Sequence, residues 1–199
     1  MSSNYSIQQD LKETDGMVSG LSDYVRGDQL YGSTGGGFFS KMPSLTVGAL
    51  VMRLHRLDAL QATMSDKQKN EFNTLYESWQ TIRKDWRSHY EHKIMQEVES
   101  RLESMETFFR ECAESQQSCY NNYRPEIQKR TIIQALLQEM SDLNLQDSDL
   151  TARIKTADGK LRTYLRADEF QWSDTLTVAY PQAAYWWLYQ KPPKELQEN

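Results

Sequence analysis

A long run without glycine or proline, residues 65–117, is the feature that most constrains how this chain can fold. Apolar residues recur along it at steps of three and four, which is the spacing of one face of an α-helix. Ser65 and Gln68 form a capping box at its start. An unbroken helix over residues 66–112 would be ~70 Å long at about 1.5 Å per residue, so a coiled-coil-like partner helix is predicted.

The spacing of these apolar residues changes partway along the predicted helix. From Phe72 to Trp86 the steps are 3, 4, 3 and 4, whereas from Trp86 to Leu102 every step is 4. Each step of four turns the apolar stripe by ~40° around a helix of about 3.6 residues per turn. The sequence therefore predicts a bend, an interruption or a change of packing partner near residues 87–91.

Three further helices are predicted around the long one. The first follows Pro43 and Ser44, and the next begins at Pro125, after a polar connection. The last begins at Asp147 or Ser148 and carries five apolar residues at helical spacing: Leu150, Ile154, Ala157, Leu161 and Leu165. Asp158-Gly159 is a competing hairpin signal inside this last segment, but the helical spacing favours a helix that tolerates the glycine.

The N-terminal region has a different composition. Seven of the nine glycines lie within residues 1–43, where aliphatic residues are few. Such a segment buries too little apolar surface to offset the entropy of ordering it, so we predict a flexible Gly-rich arm. Phe38 and Phe39 are the residues of this arm predicted to contact a helix or a partner.

The C-terminal region, residues 170–199, is rich in aromatic residues and lacks a clear period. Its most concentrated stretch contains Tyr185, Trp186, Trp187 and Tyr189. No basic amphipathic helix flanks these rings, so membrane anchoring is not predicted. Since large exposed aromatic patches are rare on monomers, we predict a strap that packs on the helices and leaves some rings for a partner.

Composition agrees with an elongated helical protein. Of the 199 residues, 38% are hydrophobic and 26% are charged, and the mean hydropathy is −0.77. The sequence thus predicts an all-α fold: an elongated bundle of four to five helices over residues 44–169, one of them very long, with the Gly-rich arm and the aromatic strap at its ends.

Charge and cysteine content bear on location and partners. The net charge of −5 argues against non-specific nucleic-acid binding as the main function. No apolar run reaches the ~18 residues of a membrane span, and the start lacks a secretory pattern. Cys112 and Cys119 are too few for a disulfide framework, and Cys112 continues the apolar seam. A reducing cytoplasm and no membrane association are predicted.

A cluster of basic residues is the main candidate binding patch. Its five members lie within a stretch of fourteen residues in which Asp158 is the one acidic residue: Arg153, Lys155, Lys160, Arg162 and Arg166. Phosphate groups of a nucleic acid or an acidic protein partner would both be attracted by such a patch.

Histidine-containing motifs give a further candidate. Asp85, His89 and His92 share one face of the predicted long helix, and two histidines with one carboxylate can bind a metal ion. A solvated polar stripe explains the same spacing better, so no metal and no cofactor are predicted. The sequence also contains no nucleophile-elbow, kinase or dinucleotide-binding motif, so no catalytic residue is predicted.

These observations favour a non-catalytic helical interaction protein, an accessory or scaffold subunit that binds a protein partner or copies of itself. The alternative is an accessory subunit that contacts nucleic acid through the basic patch at residues 153–166. A metal-binding helical protein or an enzyme is the third interpretation.

Overall fold

The computed structural model describes residues 5–34 and 43–194, and these are mostly helical. Within these ranges the chain forms six α-helices: α1 (Ile7–Arg26), α2 (Val47–Ala59), α3 (Asp66–Asp85), α4 (Arg87–Glu114), α5 (Gln116–Asp142) and α6 (Ser148–Tyr164). Two short strands, β1 (Arg166–Ala167) and β2 (Gln190–Lys191), pair antiparallel. None of the described helices is long and apolar enough to cross a membrane.

The predicted flexible arm is wrong for residues 7–26, which form α1. Ser6 caps this helix by accepting a hydrogen bond from the Gln9 amide, and Leu11, Met17 and Leu21 are fully buried. Helical spacing of these apolar residues outweighs the glycines inside the helix, each of which costs about 1 kcal/mol relative to alanine. Residues 35–42, which include Phe38 and Phe39, lie outside the described ranges.

The very long helix predicted over residues 66–112 is not continuous, whereas the interruption predicted within it is present. It is divided at Trp86 into α3 and α4, one residue before the range in which the spacing predicts a change. The capping box of Ser65 and Gln68 is present at the start of α3. After the division the two helices take different partners, since α3 packs mainly against α1 and α4 mainly against α5. The rotation of the apolar stripe thus marks a change of neighbour.

The predicted polar connection before Pro125 is helical instead. Ser115 is both the end of α4 and the N-cap of α5, where its hydroxyl oxygen accepts from the Ser118 amide. Pro125 lies inside α5 and is exposed, so the carbonyl that loses its amide partner there can be hydrated. The α4–α5 hairpin is therefore longer and tighter than predicted, and it is the most extensive helix pair among the described residues.

Cys112 and Cys119 form a disulfide across this tight turn, which the sequence analysis did not predict. The disulfide was missed because Cys119 falls in the polar connection predicted before Pro125, whereas it faces inward from the first turn of α5 and is buried. A disulfide is more typical of an oxidising compartment than of the reducing cytoplasm predicted from the sequence.

Removing this disulfide is expected to destabilise the protein by ~2–3 kcal/mol, because it closes a short loop in the unfolded chain. Urea unfolding of wild type should shift to a lower midpoint on adding a thiol reductant, and the Cys112→Ala/Cys119→Ala variant should match reduced wild type. Equal midpoints with and without reductant, together with two titratable thiols in the purified protein, would contradict the disulfide.

The α6 segment is a helix throughout, so the hairpin alternative at Asp158-Gly159 is wrong. The position a Gly159 side chain would occupy is open, and no atom lies within 4 Å of it. Asp158 is instead engaged by α5, where Arg130 donates to both of its carboxylate oxygens at 2.6 and 2.8 Å. This ion pair links the middle of α6 to α5.

The N-terminus of α2 packs closely against α5. A side chain on Gly48 would put its Cβ 2.4 Å from Ile132 Cγ2 of α5, so glycine permits this close approach. The Gly48 amide donates to the carboxylate of Glu97 at 2.7 Å, and the Thr46 hydroxyl donates to it at 2.6 Å. Arg101 completes the cluster with two hydrogen bonds to the same carboxylate. We call these four residues the Glu97 cluster.

Candidate functional site

A groove of about 480 Å³ runs between α4 and α6. From α4 it is lined by Leu102, Glu106, Phe109 and Arg110. From α6 it is lined by Ala152, Arg153, Thr156, Ala157 and Lys160. We call this feature the α4–α6 groove; its volume is within the range typical of ligand-binding clefts.

The floor of the groove is apolar and its walls are polar. Leu102 and Phe109 are buried at the floor, and Ala157 is half-buried beside them. Phe109 is fixed from two sides, since the Tyr164 ring stacks on it and the Lys160 ammonium lies 5.1 Å from its ring centroid. The floor is therefore a rigid apolar surface bordered by exposed charged groups.

The walls carry an excess of positive charge. Arg110 of α4 and Arg153 and Lys160 of α6 are exposed, and Glu106 is the carboxylate among the lining residues. Asp158 does not neutralise this wall, because Arg130 engages it on the other side of α6. The groove thus combines an apolar floor with a net positive rim on a protein whose overall charge is negative.

The predicted basic patch is divided between two sides of α6. At ~100° per residue, Arg153 and Lys160 share one face of the helix, while Lys155 and Arg162 share another. The first pair lines the groove. Arg162 instead stacks over the Trp186 ring at 3.7 Å, and Arg166 lies in β1 opposite Lys191. The structure therefore brings two of the five predicted residues together with Arg110, which the sequence analysis missed.

Arg110 and Glu106 were missed because α4 was read as one apolar seam with a solvated face. The available signal was their spacing from the floor residues, since Leu102, Glu106, Phe109 and Arg110 follow steps of four, three and one. That pattern places two charged residues at the edge of the apolar stripe, where a neighbouring helix can leave them at a groove.

The aromatic strap, of which the structure describes residues 170–194, packs on α5 through Trp187. Only 1% of Trp187 is exposed, and its indole N–H donates to the Thr131 hydroxyl at 3.0 Å. The Tyr123 hydroxyl donates to the Trp187 carbonyl at 2.6 Å. Arg130 lies 4.0 Å from the indole centroid. Trp187 is therefore enclosed and cannot act as an exposed partner-binding residue in this conformation.

The other three predicted aromatics are half-buried. Tyr185, Trp186 and Tyr189 each keep part of their ring at the surface. Tyr189 donates to the Tyr180 carbonyl at 2.8 Å, and Trp186 is covered on one face by Arg162. Partner binding by these three rings stays a prediction.

The metal candidate is not assembled in the part of the chain that the structure describes. Asp85, His89 and His92 are exposed, and no group of three or more histidine, cysteine, aspartate or glutamate side chains there could hold an ion. His89 and His92 instead line a cleft of about 400 Å³ beside Lys93. Lys93 is buried, which lowers the pKa of its ammonium, and it donates to the Gln29 carbonyl at 2.8 Å.

Comparisons with known proteins identify no relative. No protein-family model matches the chain, and no curated protein and no solved structure shows significant similarity to it. The site must therefore be interpreted from its own chemistry.

Proposed function

We propose that this chain is a non-catalytic helical interaction protein, an accessory or scaffold subunit of a larger assembly, that binds a protein partner in the α4–α6 groove. The observation that carries this proposal is a groove whose apolar floor is flanked by three exposed cations and one exposed carboxylate. Because Leu102 and Phe109 are already buried, the charged rim provides most of the specificity for a partner, and the floor adds apolar contact.

The carboxylates buried in the core have a structural role, because each is paired with an arginine. Asp10 is bound by Arg56 and lies 3.5 Å from Arg53, and Glu97 is bound by Arg101. Perturbed groups that face a cleft would suggest catalysis, whereas these carboxylates are paired inside the helix packing. Their arrangement fits a rigid scaffold that presents a surface.

Nucleic-acid contact, the alternative function, receives less support from the arrangement of the basic residues. A nucleic-acid footprint is a contiguous positive face. The five-residue patch is instead divided by α6, and Arg162 is stacked on the strap. A protein partner needs fewer positive contacts than a nucleic-acid backbone, so the groove favours the protein partner.

Site-specific photo-crosslinking in the native cell tests this proposal. A photo-reactive phenylalanine analogue at Thr156, which lines the groove, is expected to give a discrete crosslinked product with one protein. The matched control carries the analogue at Thr151, which is also exposed on α6 but ~140° around the helix. Equal crosslinking from both positions, or no product from either, would contradict a partner in the groove.

A further inference from the structure

We infer that the occupant of the α4–α6 groove is an acidic amphipathic α-helix of the partner. This inference rests on the proposed function and specifies the partner's chemistry. The rim carries Arg110, Arg153 and Lys160 against the single carboxylate of Glu106, so a ligand with carboxylates beside an apolar stripe complements it.

A helix fits this site better than an extended segment. Extended peptides bind by adding a strand to a sheet edge, and the strands in the described ranges are two residues long. The groove instead lies between two helices, and a third helix can place apolar side chains at successive turns against Phe109 and Ala157.

The spacing of the rim residues predicts the charge pattern of the partner. Arg153 and Lys160 are seven residues apart, so they are separated by ~10.5 Å along α6. Two carboxylates one heptad apart on one flank of the partner helix would face both cations. On the opposite wall Glu106 and Arg110 are one helical turn apart and carry opposite charges. A partner helix lying parallel to α4 and one lying antiparallel to it would place different residues against these two charges, so the charges favour one direction.

The test uses a fluorescent three-heptad peptide with leucine at the a and d positions and glutamate at the e and g positions. The full-length protein is expected to bind it at least ~10-fold more tightly than a scrambled peptide of the same composition or a lysine-flanked peptide with the same leucines. Because the contacts are exposed charges, the dissociation constant should rise with salt. Binding equal to that of the scrambled peptide would overturn the inference.

Two variants locate the binding. The first, Arg153→Glu/Lys160→Glu, should lose at least ~10-fold in affinity for the peptide. The control, Lys67→Glu/Lys155→Glu, makes the same charge change at exposed positions away from the groove and should bind the peptide as wild type does. The second groove variant, Thr156→Tyr, should block the groove without changing its charge and should also weaken peptide binding. Peptide binding that survives both groove variants would overturn the inference.

The failure of this inference and that of the proposed function can be told apart. A discrete crosslink from Thr156 without binding of the acidic peptide would overturn the acidic helix and leave a partner in the groove. A doubling of mass that Arg153→Glu/Lys160→Glu abolishes would instead assign the groove to a second copy of the chain, which also overturns the acidic helix of a separate partner.

Discussion

Replacing Trp187 with alanine is expected to lower the free energy of unfolding by ~3–5 kcal/mol, the range found for deleting a buried aromatic ring. Trp187 is buried against α5, and its removal leaves a cavity and deprives the Thr131 hydroxyl of its indole donor. It also removes the ring beneath Arg130, a buried cation whose other partners are Asp158 and Gln134. The measurement is urea unfolding followed by circular dichroism.

The neighbouring tryptophan provides the matched control for this prediction. Trp186 is half-buried and contacts the exposed Arg162 and the edge of the Trp187 ring. Trp186→Ala should therefore cost ~1 kcal/mol, the value of an exposed cation–π contact with some lost burial. A smaller loss for Trp187→Ala than for Trp186→Ala would show that the strap does not pack as described. It would also return Trp187 to the set of exposed partner-binding candidates.

Replacing Arg101 with methionine is expected to lower the free energy of unfolding by ~3–5 kcal/mol, because it leaves the buried Glu97 carboxylate without its counter-ion. Glu97 is fully buried and Arg101 is 8% exposed, so little water can replace the lost guanidinium. The remaining donors to the carboxylate, the Gly48 amide and the Thr46 hydroxyl, fix its position but carry no full charge.

A double-mutant cycle separates the ion pair from the packing of the two side chains. Glu97→Gln/Arg101→Met removes both charges and should be more stable than Arg101→Met alone, since an uncompensated buried charge costs more than a neutral pair. Denaturant unfolding of the four proteins gives the coupling energy. A double variant whose loss equals the sum of the two single losses would show that the two charges do not interact.

The spacing of apolar residues predicted more of the fold than the composition of whole regions did. Apolar spacing correctly indicated α2, α3 and α6, and it indicated the division at Trp86 through the change from heptad steps to steps of four. It failed at α1 because the abundance of glycine over residues 1–43 was allowed to outweigh the stripe of Leu11, Met17 and Leu21. The average composition of a region does not report a helix within it whose apolar residues are spaced to form one buried face.

Local signals also misled where tertiary packing decides the outcome. Pro125 looked like a helix start, yet it lies inside α5, which begins at Gln116 and pairs with α4 beside the disulfide. At Asp158-Gly159, by contrast, the helical spacing that was favoured over the hairpin signal is confirmed, and Arg130 of α5 binds Asp158 there. The packing of α4 on α5 joins residues distant in sequence, which periodicity does not report.

The candidate site was predicted in part for the same reason. The cluster of basic residues could be seen in the sequence, and two of its members, Arg153 and Lys160, line the groove. Its division into two faces follows from helical spacing once α6 is accepted as a helix. The α4 wall and the apolar floor could not be assigned, because they require knowing that α6 packs beside Leu102 and Phe109.

The measurement that tests the account most directly is light scattering after size exclusion, on the protein isolated under native conditions from cells that express it at its natural level. We predict a mass above the 23.3 kDa of the chain for wild type and for Lys67→Glu/Lys155→Glu, and the mass of the free chain for Arg153→Glu/Lys160→Glu. Wild-type protein that elutes as the free chain alone, with the same mass as the groove variant, would contradict an interaction protein that acts through the α4–α6 groove.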